Sequence, residues 1–246
     1  MRYLGGKART ATSLSEFILN SSDIRSNYYE PFLGGGSVAG KVGGHFYDVH
    51  YSDAHKPLIL MWKAVYAGYT LFDDPTIFLP SKIDKEDYDY YKQSPITPST
   101  AIVGFGSGFG GKYFGGFAGE ISRNPGQTYH DMALRSVSRK IPGMVAKNTT
   151  SFEAHSYQEW SPSSQSVIYC DPPYEGTTSY TTSKFNHNEF WDWCRRMSLE
   201  GHDVFISEYK APDDFICVWQ KEAYVSLSKD VNSTKSLEKL FKFNVS

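Results

Sequence analysis

The stretch Asn27-Tyr28-Tyr29-Glu30-Pro31-Phe32-Leu33-Gly34-Gly35-Gly36-Ser37-Val38 constrains the fold more than any other part of the chain. It reads as a short strand, a glycine loop and the start of a helix. Glycine has no Cβ, so such a loop reaches φ > 0 without strain and lets a bound molecule approach the backbone. Strand, glycine loop and helix in that order make the first crossover of an α/β nucleotide-binding sheet. The segment from His45 to Tyr51 alternates as a second strand and ends at Ser52-Asp53. An acid there, about 20 residues after the glycines, is where this topology holds a ribose. Asp53 also suits the N-cap of the apolar helix Pro57 to Val65, whose Leu58, Ile59, Leu60, Met61 and Trp62 are core candidates.

A second constraint lies at Val167-Ile168-Tyr169-Cys170-Asp171-Pro172-Pro173-Tyr174. A buried strand runs straight into an acid, two prolines and an aromatic. Asp171 offers a carboxylate acceptor. The prolines have fixed φ and no N–H, so they stiffen the turn and leave the Pro172 carbonyl free to accept. Tyr174 offers a flat face. Together these groups can grip a planar ring that carries an exocyclic amine, although Asp-Pro-Pro is also ordinary turn chemistry. At the other end, Tyr3-Leu4-Gly5-Gly6-Lys7 precedes a helical pattern (Leu14, Phe17, Ile18) and suits an anion or carboxylate site. It is not a P-loop, because the Gly-x4-Gly-Lys-Ser/Thr spacing is absent.

The 246 residues suffice for one sizeable domain, or one domain with an insertion. A net charge of −2 does not advertise a nucleic-acid binder, so any phosphate-binding surface has to be a local patch. The basic tract Arg123, Arg135, Arg139, Lys140 and Lys147 is such a patch, faced by few acids (Glu120, Asp131). Tyr129 to Ile141 reads as a helix with Arg135 and Arg139 one turn apart. Before it, Gly104 to Gly119 interleaves glycines with aromatics around Lys112, which suits a mobile clamp lined with flat faces or loop packing with no ligand, and the clamp is the expectation. Cys170, Cys194 and Cys217 fit neither a disulfide framework nor a zinc site. No apolar run reaches the roughly 18 residues that span a bilayer, and no leader is evident, so a cytoplasmic location is expected.

After Tyr174 the polar segment from Glu175 to Lys184 reads as a loop able to close over a bound ring. Phe185 to Trp191 opens a helix capped by Asn186 or Asn188, with Phe190, Trp191, Cys194 and Met197 as its buried stripe. Asp203 to Ser207 reads as a strand. Phe215 to Trp219 and Ala223 to Leu227 suggest a hairpin about Gln220-Lys221-Glu222, and Leu237 to Phe243 a final strand.

Four stretches, in order, resemble the motifs of the Dam-like (D12 class, alpha-type) DNA N6-adenine methyltransferases: Tyr3-x-Gly-Gly-Lys7, Glu30-Pro-Phe32-x-Gly-Gly-Gly36, Ser52-Asp53 and Asp171-Pro-Pro-Tyr174. The resemblance implies a Rossmann-like α/β class I methyltransferase sheet, mostly parallel with one antiparallel hairpin strand. It implies a catalytic domain from residues 1–71 and 148–246, with a target-recognition insertion at 72–147. The cofactor would be S-adenosyl-L-methionine, held by Tyr3, Lys7, Phe32, Gly34, Gly35, Gly36, Asp53 and Asp171. Asp171, Pro172 and Tyr174 would be catalytic, accepting the two N6 hydrogens and stacking a flipped-out adenine. The partner would be double-stranded DNA, met by Lys112, Arg123, Arg135, Arg139 and Lys140, with no metal and no membrane involved. The family carries Asn two residues after its ribose-binding acid, where this chain has His55. Cytosine-N4 enzymes more often lead their motif with Ser and protein-glutamine enzymes with Asn, so Asp171 argues for adenine. A non-catalytic DNA-binding protein of the same fold is the remaining alternative, and the intact motifs count against it.

Overall fold

The computed structural model describes residues 3, 6–162, 164–175, 185–224 and 235–244. After helix α1 (Ala11–Asn20), strand β1 (Asn27–Glu30) buries Tyr28 and Glu30 on one face. The glycine loop follows and feeds the short helix α2 (Ala39–Val42), then β2 (Asp48–Ser52). The strand expected from His45 begins only at Asp48, because Gly43–His45 forms a 3-10 turn in which Phe46 N donates to Gly43 O. Helix α3 (Lys56–Phe72) outruns its expected end and stops at Asp73, which takes the left-handed conformation at φ 53°.

The chain continues through α4 (Lys85–Gln93), α5 (Pro98–Gly106), a two-stranded ribbon of β3 (Glu120–Ile121) and β4 (Asn124–Thr128), and α6 (Tyr129–Met144). Capping boxes Asp84/Asp87 and Thr128/Asp131 start α4 and α6. Then come β5 (Thr149–Glu153), β6 (Ser166–Cys170), α7 (His187–Leu199), β7 (Asp203–Ser207), β8 (Phe215–Tyr224) and β9 (Lys235–Phe243). Asn186 caps α7, its side chain accepting from Glu189 N at 3.3 Å.

The main sheet has seven strands in the order β5-β2-β1-β6-β7-β9-β8. Every pairing is parallel except those of β9, which runs antiparallel to β7 and β8. This is the doubly wound order with one reversed strand slotted in before the last, the class I methyltransferase arrangement that the resemblance implies. The chain moves outward from β1 through β2 to β5, then returns to the other side of β1 with β6. That reversal opens a crevice at the carboxyl ends of β1 and β6, where ligands bind in such sheets. Alternation along the strands separates two cores. Tyr28, Val49, Val167 and Tyr169 face α1, α2, α3, α5 and α6, whereas Ile168, Cys170, Val204 and Ile206 face α7.

Two expectations are corrected. Gln220-Lys221-Glu222 is not a turn: β8 runs through it and pairs with β9, Lys221 opposite Glu238. β8 lies at the sheet edge, where exposed charged side chains are tolerated and discourage further pairing. Residues 225–227 of the expected hairpin lie outside the described residues. The glycine–aromatic segment 104–119 is also not an open clamp. Phe105 is 2% exposed, Tyr113 packs 4.9 Å from it, and Phe114 and Phe117 close on Tyr88 at 5.2 and 5.4 Å. Segment 72–147 joins the main core, since Ile102, Val103, Val137 and Ile141 belong to the same buried cluster as Val49.

Candidate active site

Acids converge on the carboxyl ends of the strands. Glu30 ends β1, Asp53 follows β2, Asp171 follows β6 and Glu208 follows β7, with Glu238 projecting from β9. Alternation on β9 explains Glu238: it shares a strand face with Leu240, which is buried on the α1 side of the sheet, while Phe241 packs toward α7.

Backbone and packing together set the glycine loop. Gly34 and Gly36 have φ of 48° and 61°, a region that side-chain-bearing residues avoid. Space is also short: a Cβ at Gly34 would lie 3.0 Å from Tyr3 Cε1, and one at Gly36 would lie 2.9 Å from Trp62 Cζ2. Trp62 Nε1 donates to Gly34 O at 3.2 Å. Asp53 ties this loop to β2, with Oδ2 accepting from Gly34 N at 3.0 Å and Oδ1 from His55 N at 2.8 Å. Burial pushes the Asp53 carboxyl up to about 6, against the pull of those two amides. Each carboxylate oxygen retains a lone pair beyond these bonds. His55 packs 5.3 Å from Phe105 and 5.0 Å from Tyr113, and its Nδ1 is buried without a hydrogen-bond partner. Burial lowers its pKa, which favours the neutral ring.

The second half of the site is a compact charged cluster. Lys7 Nζ lies 2.8 Å from Asp171 Oδ1 and 3.6 Å from Glu238 Oε2, with side-chain exposures of 7%, 19% and 15%. The Tyr174 hydroxyl donates to Glu238 Oε2 at 3.2 Å, and Lys7 Nζ stands 4.5 Å from the centre of the Tyr174 ring. Tyr209 meets Tyr174 edge-on at 4.6 Å. Burial works against the Lys7 ammonium, but Asp171 and Glu238 outweigh it and hold its pKa above the usual value. Burial raises the Asp171 carboxyl, with Lys7 opposing and Glu238 adding to the rise. Among the described residues, two carboxylates around one ammonium leave an excess of negative charge when all three are ionised. Glu208 braces the turn after the motif, its Oε1 accepting from Glu175 N at 2.8 Å and its Oε2 from Tyr209 N at 2.6 Å.

The structure brings Tyr3, Lys7, Gly34–Gly36, Asp53, Asp171 and Tyr174 to one end of the sheet. Pro172 is buried in the turn between Asp171 and Tyr174. Phe32 turns to the opposite face and stacks on Tyr157 at 5.5 Å, with Phe190 edge-on at 5.6 Å. Lys112, Arg123, Arg135 and Arg139 are exposed, Arg123 where β3 turns into β4. Lys140 is the correction. Its Nζ donates to Gly35 O at 2.5 Å and to Ser37 Oγ at 3.3 Å, so it clamps the glycine loop and does not face outward with Arg139. Neighbours on a helix point about 100° apart, so being beside Arg139 in sequence does not put Lys140 on Arg139's face. Burial lowers the Lys140 pKa to about 8, with Glu30 opposing. Burial likewise raises Glu30 to about 8, although Tyr28 donates to it at 2.7 Å. The expected closing loop, residues 176–184, lies outside the described residues.

Sequence reasoning missed Glu238, Glu208 and the clamp made by Lys140. The first had a signal, an acid at alternate spacing with the core residue Leu240. Glu208 directly follows a buried strand, as Asp53 and Asp171 do. Nothing local distinguishes Lys140 from its basic neighbours.

Residues 3–101 match the family described as D12 class N6 adenine-specific DNA methyltransferase. No curated protein matches the chain. Among solved structures, the rRNA methyltransferase aviRa from Streptomyces viridochromogenes aligns at 10% identity and a TM-score of 0.39, covering 95% of this chain and 84% of that one.

Proposed function

We propose, on the premise that the chain belongs to the D12 class of N6 adenine-specific DNA methyltransferases, that it moves a methyl group from S-adenosylmethionine to N6 of an adenine swung out of double-stranded DNA. The observation that carries this reading is the placement of Asp171 at the sheet's switch point, beside Lys7 and Tyr174 and across from the glycine loop.

The residues present fit such a donor. Gly34 and Gly36 hold backbone conformations that keep side chains out of the loop, Asp53 has acceptor capacity for a ribose, and the negative excess around Lys7 suits a positively charged sulfonium. S-adenosylmethionine supplies an electrophilic methyl that carries its own leaving group. The chain's task is to present the amine. The N6 lone pair is delocalised into the purine ring. Asp171 and the Pro172 carbonyl accept the two N6 hydrogens, which favours a pyramidal nitrogen with its lone pair aimed at the methyl. Tyr174 provides the face on which the extruded base stacks. Exposed Lys112, Arg123, Arg135 and Arg139 neutralise phosphates, and the β3–β4 ribbon carries Arg123 toward a groove. Residues 72–147 serve as the target-recognition region on the catalytic domain formed by 1–71 and 148–246, while Lys140 of that region steadies the glycine loop.

The test is transfer of labelled methyl from S-adenosylmethionine to DNA, RNA and protein, with the modified base identified by hydrolysis and chromatography. N6-methyladenine in DNA is the expected product. N4-methylcytosine, or transfer to RNA or protein alone, overturns the reading.

A further inference from the structure

We propose that Glu238 is a positioning residue of the transfer site, holding the Tyr174 ring and the Lys7 ammonium in register with Asp171. The inference rests on the methyltransferase reading above and extends it to a residue outside the four motifs. Glu238 Oε2 accepts from the Tyr174 hydroxyl at 3.2 Å and lies 3.6 Å from Lys7 Nζ, whose other carboxylate partner is Asp171 at 2.8 Å. One carboxylate oxygen thus reaches both groups that flank Asp171. Its side chain is only 15% exposed, so these contacts form where water competes poorly.

The setting explains why the acid comes from β9. That strand is the reversed one, bonded between β7 and β8, and cannot shift without breaking both ladders. Glu238 alternates with Leu240, which is buried, so its direction is fixed by the core. Tyr174, by contrast, follows two prolines on a turn with no ladder of its own. A tyrosine ring there rotates and swings unless something holds its tip. Glu238 contributes such a hold from a fixed strand, and the bond helps set the tilt of the face offered to a base. The shared Lys7 stays over that same ring at 4.5 Å. Loss of Glu238 therefore removes the β9 anchor on the ring's tip and one of the carboxylates that share Lys7 with Asp171, so the stacking face is aimed less firmly.

The experiment measures single-turnover methyl transfer to adenine-containing DNA, with cofactor affinity by calorimetry and thermal unfolding beside it. Glu238→Ala is expected to lower the transfer rate on the order of tenfold or more, the scale of one hydrogen bond to a charged group. Cofactor affinity changes far less. Glu238→Gln keeps an oxygen for the Tyr174 hydroxyl and retains more of the rate than Glu238→Ala. Glu238→Asp keeps the charge but withdraws the oxygen, serves if the alanine variant does not fold, and falls with it. Tyr174→Phe removes the hydroxyl, and adding Glu238→Ala or Glu238→Asp to it lowers the rate less than the same change does in wild type. Wild-type rates in Glu238→Ala and Glu238→Asp, or losses that simply multiply with Tyr174→Phe, overturn the proposal while the methyltransferase reading stands. A wild-type protein that transfers no methyl group overturns both.

Discussion

The Lys7 ammonium reaches across the end of the sheet to within 2.8 Å of Asp171, so the carboxylate that follows β6 already holds a cation. Burial holds the Asp171 carboxyl above its ordinary pKa, and Lys7 opposes that rise. Asp171→Ala should lower single-turnover transfer by roughly a hundredfold or more, the scale for losing one preorganised polar group. Lys7→Met removes the opposing attraction, so the Asp171 carboxyl titrates higher and the acidic limb of the rate–pH profile moves to higher pH. An unmoved acidic limb in that variant shows that Lys7 does not support the ionised acid.

Tyr174→Ala should act on capture of the extruded base. Stacking on an aromatic face contributes about 1–3 kcal/mol per base. Fluorescence of 2-aminopurine at the target position checks it, because the probe brightens on leaving the duplex stack. Equal fluorescence and equal DNA affinity in wild type and Tyr174→Ala count against the stacking role.

Lys140 and the pair Arg135/Arg139 share one helix but should separate cleanly in experiment. Reversing both arginines to Glu should weaken DNA binding and flatten its dependence on salt, with cofactor binding intact. Lys140→Met should instead weaken cofactor binding, because it releases Gly35 O and Ser37 Oγ, and should leave the salt slope near that of wild type. Calorimetry with the cofactor and salt-titrated DNA binding distinguish the two patterns.

Asp53→Ala should weaken cofactor binding by about 1–3 kcal/mol, by loss of a hydrogen-bonding carboxylate. It also deprives Gly34 N and His55 N of their acceptor, so a drop in thermal stability should accompany it. Unchanged affinity in calorimetry removes Asp53 from the cofactor site.

Glu30 sets a pH dependence of stability. Its folded-state pKa is raised from 4.5 to about 8, so the fold favours the neutral acid. Protonated Glu30 contributes stability that is fully present below its unfolded pKa and is lost as pH rises through about 8. Glu30→Gln mimics the neutral form and keeps an acceptor for the Tyr28 hydroxyl. It should flatten the decline of the melting temperature between about pH 4.5 and 8 and be the more stable protein at the alkaline end. Parallel melting profiles for variant and wild type across that range refute this assignment.

Much of the fold and part of the site were legible in the chain because their causes are local. Gly34 to Gly36 follow a short strand, Asp53 follows the next one, and Asp171 to Tyr174 stiffen a third exit. Each depends on backbone freedom, alternation or proline geometry, and these belong to a few consecutive residues. The stripe of α7 and its Asn186 cap were readable for the same reason. The tertiary structure alone decided what depends on sheet order and helix rotation. Only the order β7-β9-β8 brings Glu238 to the Tyr174 hydroxyl. Only the packing of α6 on α2 turns Lys140 onto the glycine loop while Arg135 and Arg139 stay outside. Gln220-Lys221-Glu222 is polar enough for a turn, yet it became strand because β9 supplied a partner at the sheet edge. Tyr113, Phe114 and Phe117 of segment 104–119 pack inward because Phe105 and Tyr88 receive them, while Phe109 stays exposed. Local rules set what each segment can be, but a buried ion pair or a strand pairing depends on residues distant in sequence, and only the folded chain brings them together.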